Sequence, residues 1–279
     1  MYAVLKFSLI LIHLSLSFFT GRVHPLAEPD TWADSTTYHI DHTLFDALLA
    51  QHVNAAGEVD YAAIKAGEGL QHYIAVLEQA DPAQLSENEA LAFWLNAYNA
   101  YTLKLIVDRY PVKSIKEITP LRIKGLALAV PKLNSPFEYS IATIAGKKLS
   151  LDDIEHKIIR KQFDEPRIHF ALVCAAVSCP PLRREAYVAS RLDAQLDDQA
   201  RAFLFDETKN RVDTEKRTLY LSRIFKWFKS DFTSENRTLQ QFLAPYYEGE
   251  AAAYMQADGY KVRYRKYNWA LNDIGSMNN

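Results

Sequence analysis

One long apolar stretch, residues 86–110, places the strongest limit on how this chain can fold. It opens with Ser86 and Glu89, a spacing typical of a helix-capping box, and it ends before Pro111, whose ring stops a helix. Leucines and aromatic residues recur along a broad face of it, which is typical of a helix buried on most sides. We therefore predict a central helix from Ser86 to about Tyr110, with other elements packed around it.

The remainder of the chain predicts shorter helices and a few strands. The 279 residues are 49% hydrophobic and 24% charged, an ordinary globular balance, and the 9 glycines favour helices over a many-turned β-fold. Alternating patterns predict hairpins over 139–149 and 211–221 and a last strand over 260–269, while 124–132 is expected to form a mobile apolar loop able to cover a site. We predict an α+β fold: a helix-rich single domain over 39–273 with a small mixed sheet and a long central helix.

The two ends of the chain are expected to lie outside this domain. Lys6 precedes a largely apolar run, 7–19, which fits a secretory signal and is too short to span a bilayer comfortably. We predict a signal peptide or N-terminal anchor over 1–21, a linker or tail over 22–38, and a tail over 274–279. The protein is therefore expected to be exported, periplasmic or secreted, with membrane contact only through an uncleaved N-terminal segment.

Charge and composition exclude several classes of partner. Lys and Arg number 32 against 34 Asp and Glu, a net charge of −2, so we predict no nucleic-acid partner. There is no glycine-rich phosphate loop, and His39 with His42, or Asp152 with His156, supplies only two metal ligands each. We predict no cofactor and no metal, and a partner that is an unknown small molecule, a peptide or an envelope polymer.

The stretch from Arg167 to Pro181 carries both cysteines and a histidine inside an apolar run. Its β-branched and aromatic residues predict a buried strand over 167–174, with His169 on one face and Cys174 on the other, apolar face. Cys179 directly precedes two prolines, a sequence typical of a turn or helix start. A thiol at a helix start has a lowered pKa, which makes Cys179 the candidate nucleophile.

The state of the two cysteines stays open at this level. A bridge between Cys174 and Cys179 would stabilise the fold by roughly 2 kcal/mol through chain entropy, but the segment between them contains no glycine to help it turn. Four residues separate the cysteines, not the two of common redox motifs, so the spacing argues against redox exchange.

Two polar patterns on predicted helices allow alternative interpretations. Asn96 and Asn99 interrupt the central helix, where buried amides either form a packing network or orient a catalytic group. Asp152, His156 and Arg160 are spaced four apart. We expect them to form a solvated, salt-bridged face rather than a proton relay.

Five motifs, in order, resemble the family called domain of unknown function 547. They are Phe93–Ala100, Tyr110–Ile115, Leu149–His156, His169–Leu182 and Tyr267–Asn272. Bacterial relatives similar to this chain are mostly exported proteins of unassigned function, so the resemblance implies no activity. The family positions matched here are Trp94, Asn96, Asn99, Leu151, Asp152, Ile154, Glu155, Ser178, Cys179 and Pro180. This chain has Val173 where many relatives have asparagine.

Two functional hypotheses follow. In the first, the chain is a thiol-dependent hydrolase or transferase that acts on amide or ester bonds with a Cys/His pair. Its assigned residues are Cys179 as nucleophile, His169 as base, Asn99 and Asn96 as orienting or oxyanion groups, and Trp94, Arg183 and Glu155 for substrate binding. In the second, it is a non-catalytic envelope binding module with structural cysteines that uses an aromatic surface around Trp227 and Trp269.

Overall fold

The computed structural model describes residues 38–118 and 135–276, and its longest element is the predicted central helix. Helix α4 (Glu87–Val107) follows α1 (Thr43–His52), α2 (Tyr61–Ala66) and α3 (Gly69–Gln79). The capping box is present, since the Ser86 backbone N–H donates to Glu89 Oε2 at 3.1 Å. Almost every residue from Leu91 to Ile106 is buried, so α4 is a central helix with other elements packed around it, as predicted.

The helices after α4 are shorter, and they bring the C-terminal half of the chain against it. They are a π-helix Asp153–Ile159, α5 (Arg160–Gln162), α6 (Ile168–Ala171), α7 (Leu192–Leu204), α8 (Ile224–Trp227), α9 (Lys229–Phe232), α10 (Leu239–Leu243) and α11 (Gly249–Gln256). Single 3-10 turns lie at Pro82–Gln84, Ile115–Glu117, Pro136–Glu138, Ala189–Arg191, Ala244–Tyr246 and Ile274–Ser276. None of the helices within the described residues is long and apolar enough to cross a membrane.

Two small sheets complete the α+β fold. Strands β1 (Ala142–Ile144) and β2 (Lys147–Leu149) form the first predicted hairpin. Strands β3 (Arg211–Asp213) and β4 (Thr218–Leu221) pair antiparallel, and β5 (Lys261–Tyr264) adds to β4 in parallel, with Leu219 opposite Val262. This three-stranded sheet is mixed, which confirms the predicted fold class.

Helix α6 lies where two hydrophobic clusters meet. Its Ile168 and Ala171 pack in the cluster around α4, whereas Phe170 packs in the cluster formed by α7, β4 and the helices α8 to α10. Both sides of this short helix are therefore filled with apolar side chains. This position fixes His169, the remaining residue of α6, in the interior between the two clusters.

The strand predicted over 167–174 is wrong, because residues 168–171 form α6 and residues 172–174 form no strand. The side chain of Asn99 on α4 bonds this segment, donating to Ala171 O at 3.0 Å and accepting from Val173 N–H at 3.1 Å. The run is buried on all sides, so its apolar pattern could not distinguish a helix from a strand.

Several predicted segments fall outside the described residues: 1–21, all of the linker except Tyr38, and the loop 124–132. The first residues of the predicted tail are described, and Ile274 N–H donates to Val59 O at 3.1 Å. The chain is therefore tied to the domain at that point.

Candidate functional site

A cavity of about 210 Å³ lies between α4, the π-helix, α6, α8 and the segment after β5. The described residues that line it are Tyr98, Ser135, Phe137, Asp152, Glu155, His156, His169, Leu172, Cys174, Cys179, Ile224, Trp227, Phe228, Tyr267 and Trp269. Of the residues assigned to the enzyme hypothesis, Cys179, His169 and Glu155 meet here, together with Trp227 and Trp269 of the binding-module hypothesis. The cavity is the candidate functional site because it gathers acidic, imidazole, sulfur and aromatic groups.

The π-helix Asp153–Ile159 positions the side chains along one edge of the site. Ser150 lies at the start of this helical segment, and its hydroxyl accepts from the backbone N–H of Asp153 at 3.0 Å. The wider π turn changes which side chains share a face, and single π turns often mark functional sites. Glu155 consequently lies at the cavity, and only 13% of its side chain is exposed.

The salt-bridged face predicted for Asp152, His156 and Arg160 is present, but it is half-buried rather than fully solvated. All three are half-buried and connected, with His156 Nε2 lying 3.4 Å from Asp152 Oδ1 and Arg160 Nη1 lying 3.1 Å from His156 Nδ1. Arg160 also forms two bonds, at 2.6 and 2.7 Å, to the carboxylate of Asp231 on α9. Asp152 and His156 of this row line the cavity, whereas Arg160 does not.

His169 is enclosed and oriented by two carboxylates. Its Nε2 lies 2.7 Å from Asp231 Oδ2, its Nδ1 lies 3.9 Å from Glu155 Oε1, and 1% of its side chain is exposed. Phe228 stacks on the imidazole with ring centroids 3.9 Å apart. Because Asp231 accepts the Nε2 proton, the neutral imidazole presents its unprotonated Nδ1 toward Glu155.

The acids of the site have opposite protonation behaviour. Burial raises the pKa of Glu155 to about 7. The positive charge of Arg160 and the hydrogen bond from the Tyr98 hydroxyl lower this pKa, but burial outweighs them. Burial would also raise the pKa of Asp231, but hydrogen bonds from His169 and Arg160 hold it far below the ordinary value. Burial lowers the pKa of His169 despite its bond to Asp231. Glu155 is therefore a group of this site able to exchange a proton near neutral pH.

Cys174 and Cys179 form a disulfide that is part of the cavity wall. The expected difficulty of the turn is resolved by Ala175, which adopts a left-handed backbone with φ of 56° and brings the two Cα atoms to 6.1 Å. Cys179 is 3% exposed, whereas Cys174 is half-buried. Cys179 is thus not a free thiol in this state, as the assigned nucleophile would need to be.

Both sulfur atoms have hydrogen-bonding partners. The backbone N–H of Cys174 donates to Cys179 Sγ at 2.8 Å, and the Tyr267 hydroxyl donates to the same sulfur at 3.3 Å. That hydroxyl lies 3.2 Å from Cys174 Sγ. The Tyr267 ring is held between Trp227 and Trp269, with centroids 4.8 and 4.7 Å away. These donors favour negative charge on Cys179 when the bridge opens.

The central-helix asparagines bind backbone rather than the cavity. Asn96 donates to Tyr187 O at 2.8 Å and accepts from its N–H at 2.9 Å, while Asn99 holds residues 171 and 173 in the same way. Neither lines the cavity in the described part of the chain. Asn99 nevertheless positions the backbone that leads directly into Cys174.

Two residues assigned to substrate binding lie elsewhere. Trp94 is buried edge-on against Phe93 at 5.1 Å and lines a different cavity. Arg183 is bonded to Glu185 at 2.6 Å and to Asp198 at 2.6 Å. Its guanidinium thus holds the surface around α7 together instead of facing the site.

Sequence reasoning missed Asp231 and the sulfur contact of Tyr267, because no local pattern marks either residue. Asp231 is 62 positions from His169, and Tyr267 is 88 positions from Cys179. Within residues 38–118 and 135–276 no group of three or more His, Cys, Asp or Glu side chains is placed to hold a metal ion. His42 instead bonds the Tyr73 hydroxyl at 2.7 Å, and burial lowers its pKa to about 4.

Comparison with known proteins identifies a family and no activity. The family model described as protein of unknown function, DUF547, matches residues 82–204. This match contains four of the five motifs found in the sequence and excludes the C-terminal one. No curated protein and no solved structure matches the chain. The part of the chain that matches the DUF547 family, residues 82–204, contains α4, the disulfide and α7.

Proposed function

We propose that this protein is a thiol–disulfide exchange enzyme whose reactive bond joins Cys174 and Cys179. The observation that carries the proposal is the unequal setting of the two sulfurs at the cavity wall. Cys174 is half-buried and open to attack, while Cys179 is buried and receives hydrogen bonds from the Cys174 N–H and the Tyr267 hydroxyl. Exchange is fastest when the attacked sulfur is accessible and the leaving thiolate is stabilised.

The reaction begins with a substrate thiolate that attacks Cys174 Sγ. A bond forms between the substrate sulfur and Cys174, the Cys174–Cys179 bond breaks, and its electron pair stays on Cys179 as a thiolate. A second thiolate of the substrate then attacks the substrate sulfur of the mixed disulfide and releases Cys174. The substrate is oxidised to a disulfide by two electrons, the protein pair is reduced, and exchange with a second, more oxidising disulfide restores the bridge.

Glu155 handles the protons of this cycle. Its carboxylate faces the same cavity as both sulfurs, and a pKa of about 7 lets it accept the proton of an incoming thiol and return it to Cys174 on release. Asp231 and Arg160 hold the imidazole of His169 next to this carboxyl group, with Nδ1 3.9 Å from Oε1. His169 is a positioning residue in this scheme, since Asp231 occupies its Nε2.

The disulfide also supports the proposal that the protein is exported to the periplasm or secreted. Disulfides persist in oxidising compartments and are rare in the cytosol. The apolar run near the N-terminus provides an independent reason for the same expectation.

A thiol-dependent hydrolase or transferase acting on amide or ester bonds is the second candidate. It is favoured by two observations: Cys179 and His169 line the same cavity, and the backbone N–H of Cys174 is directed at the sulfur. In this scheme an external dithiol first reduces the bridge and is itself oxidised to a disulfide. The Cys179 thiolate then attacks the substrate carbonyl, the amine or alcohol leaves with a proton, and water or another acceptor cleaves the resulting thioester to release Cys179.

Trapping experiments on the full chain separate the two candidates. Oxidised protein is mixed with reduced glutathione at pH 8, quenched with acid and mapped by mass spectrometry. We expect glutathione on Cys174 and a free thiol on Cys179. Glutathione found on Cys179, or bridge opening only at the rate of global unfolding, would overturn the exchange proposal.

Matched serine variants complete the test. Cys174→Ser abolishes exchange, whereas under the second candidate the reduced variant still hydrolyses a 4-nitrophenyl ester through Cys179. Tyr267→Phe removes one donor from the leaving sulfur and is expected to slow bridge opening about tenfold. Ester turnover that depends on Cys179 and survives Cys174→Ser would favour the hydrolase instead.

A further inference from the structure

The cavity has an aromatic wall, formed by Trp227, Tyr267 and Trp269, that the exchange chemistry does not explain. Its ring centroids lie 4.7, 4.8 and 5.9 Å apart, so the three rings form one contiguous surface. Trp227 is 45% exposed, an unusual position for a large ring in a folded protein. A surface of this kind at a cavity is typical of a ligand contact.

The charged side chains that line the cavity itself have one sign. In the described part of the chain, the cavity is lined by the carboxyl groups of Asp152 and Glu155 and by no lysine or arginine. The nearby guanidinium of Arg160 is compensated by its two bonds to Asp231. His156, the other imidazole in contact with Asp152, has its pKa lowered by burial, so it carries little positive charge near neutral pH.

The wall already attracts a cation of the chain itself. The ammonium of Lys116 lies 3.8 Å from the centroid of the Trp269 ring, a close cation–π geometry. Ring faces attract ammonium groups through their quadrupole, and the attraction grows when the cation is desolvated. Carboxylates that line the same cavity as these rings add a Coulomb attraction that a neutral or anionic ligand would not receive.

We propose that the aromatic wall together with Asp152 binds an ammonium group, so that the substrates of this cavity are thiols that carry a cationic amine. This inference rests on the proposed exchange function and names its substrate class. The ammonium group lies against the rings while the thiol of the same molecule reaches Cys174. A cationic aminothiol, or a peptide cysteine next to a lysine or a free N-terminus, has this chemistry.

Three small thiols of similar size test the inference. The rate of bridge opening in the full, oxidised protein is measured with cysteamine, 2-mercaptoethanol and 3-mercaptopropionate. Each rate is divided by the rate at which the same thiol reduces a simple neutral disulfide. We expect cysteamine to exceed 2-mercaptoethanol about tenfold and 3-mercaptopropionate to be slowest. Equal normalised rates would overturn the inference and leave the exchange function standing.

A second measurement does not depend on exchange. Choline and its neutral isostere 3,3-dimethyl-1-butanol are titrated against tryptophan fluorescence, with binding expected for choline and at least about tenfold weaker binding for the alcohol. Choline binding in a protein whose bridge does not exchange would retain the ammonium site and remove the proposed function. Equal binding of the two would overturn the site.

Variants connect the preference to the named side chains. Trp227→Leu and Asp152→Asn are each expected to reduce the preference for cysteamine over 2-mercaptoethanol several-fold. Phe205→Leu is the matched control, since Phe205 is also an exposed ring, at 52%, and does not line the cavity. A full preference retained in both site variants would contradict the assignment.

Discussion

Replacing Glu155 with glutamine should stabilise the protein in a pH-dependent way. Burial raises the pKa of this carboxyl group from the ordinary 4.5 to about 7. The group is neutral in both states below about pH 4.5, and above that value ionisation favours the unfolded chain. The folded protein therefore loses stability as the pH rises, and the loss is complete above about pH 7.

The magnitude follows from the size of the pKa change. A rise from 4.5 to about 7 corresponds to about 3 kcal/mol of unfolding free energy, since one pKa unit is about 1.36 kcal/mol. The charged and titratable groups that face or influence Glu155 are Asp152, His156, Arg160, His169, Asp231, Tyr98 and Tyr267. Glutamine keeps an acceptor for Tyr98, so the substitution mainly removes the titration.

Urea unfolding of the wild-type and Glu155→Gln proteins at pH 4.5 and pH 8 measures the effect. We expect the variant to gain about 3 kcal/mol relative to wild type between these two pH values. Glu185→Gln is the control with the opposite sign, because hydrogen bonds from Arg183, Gln195 and Arg191 outweigh burial and lower the pKa of Glu185. A Glu155→Gln difference that is the same at both pH values would refute the assignment of a buried, raised-pKa acid.

Three further perturbations test the architecture. Asn99→Ala and Asn96→Ala should each lose about 2 kcal/mol in urea unfolding, because each leaves two backbone groups unpaired, but only Asn99→Ala should change the rate of bridge reduction. Gly57→Ala should lose more than about 3 kcal/mol, since its φ is +76° and the added Cβ would lie 2.4 Å from a proline side chain, whereas Gly146→Ala, with φ of +72° and nothing within 4 Å, should lose about 1 kcal/mol. Reduction of the disulfide should lower the unfolding free energy by about 2 kcal/mol, measured in urea with and without a phosphine reductant, and an unchanged midpoint would contradict the chain-entropy argument.

The fold was largely predictable because its main signals are local. The capping box of Ser86 and Glu89 acts over three residues, and the broad apolar face of α4 repeats within a few turns. The hairpin of β1 and β2 and the existence of strand β5 follow from alternating patterns in the sequence, whereas the parallel pairing of β5 with β4 does not. Such patterns depend on neighbours in the sequence, so they survive without knowledge of the packing.

The predictions differ from the structure where burial on both sides removes the polar–apolar alternation, or where the backbone departs from the α-helical repeat. Residues 168–171 pack against apolar clusters on both sides. Their sequence is therefore compatible with a helix and with a buried strand. The π turn at Asp153–Ile159 places Glu155 at the cavity together with Asp152 and His156 of the predicted salt-bridged face. Ala175 supplied the left-handed turn expected only of glycine, which allowed the disulfide.

The sequence by itself determined the central helix and the α+β class, because these depend on residue type and short-range spacing, and it singled out His169, Glu155 and Cys179 as candidate site residues. Only the tertiary structure decided their contacts: it joined Cys179 to Cys174, placed the Tyr267 hydroxyl near both sulfurs and paired Asp231 with His169. Those contacts, apart from the disulfide, connect residues at least 62 positions apart. Their formation depends on how two hydrophobic clusters pack against each other, and no local pattern encodes that packing.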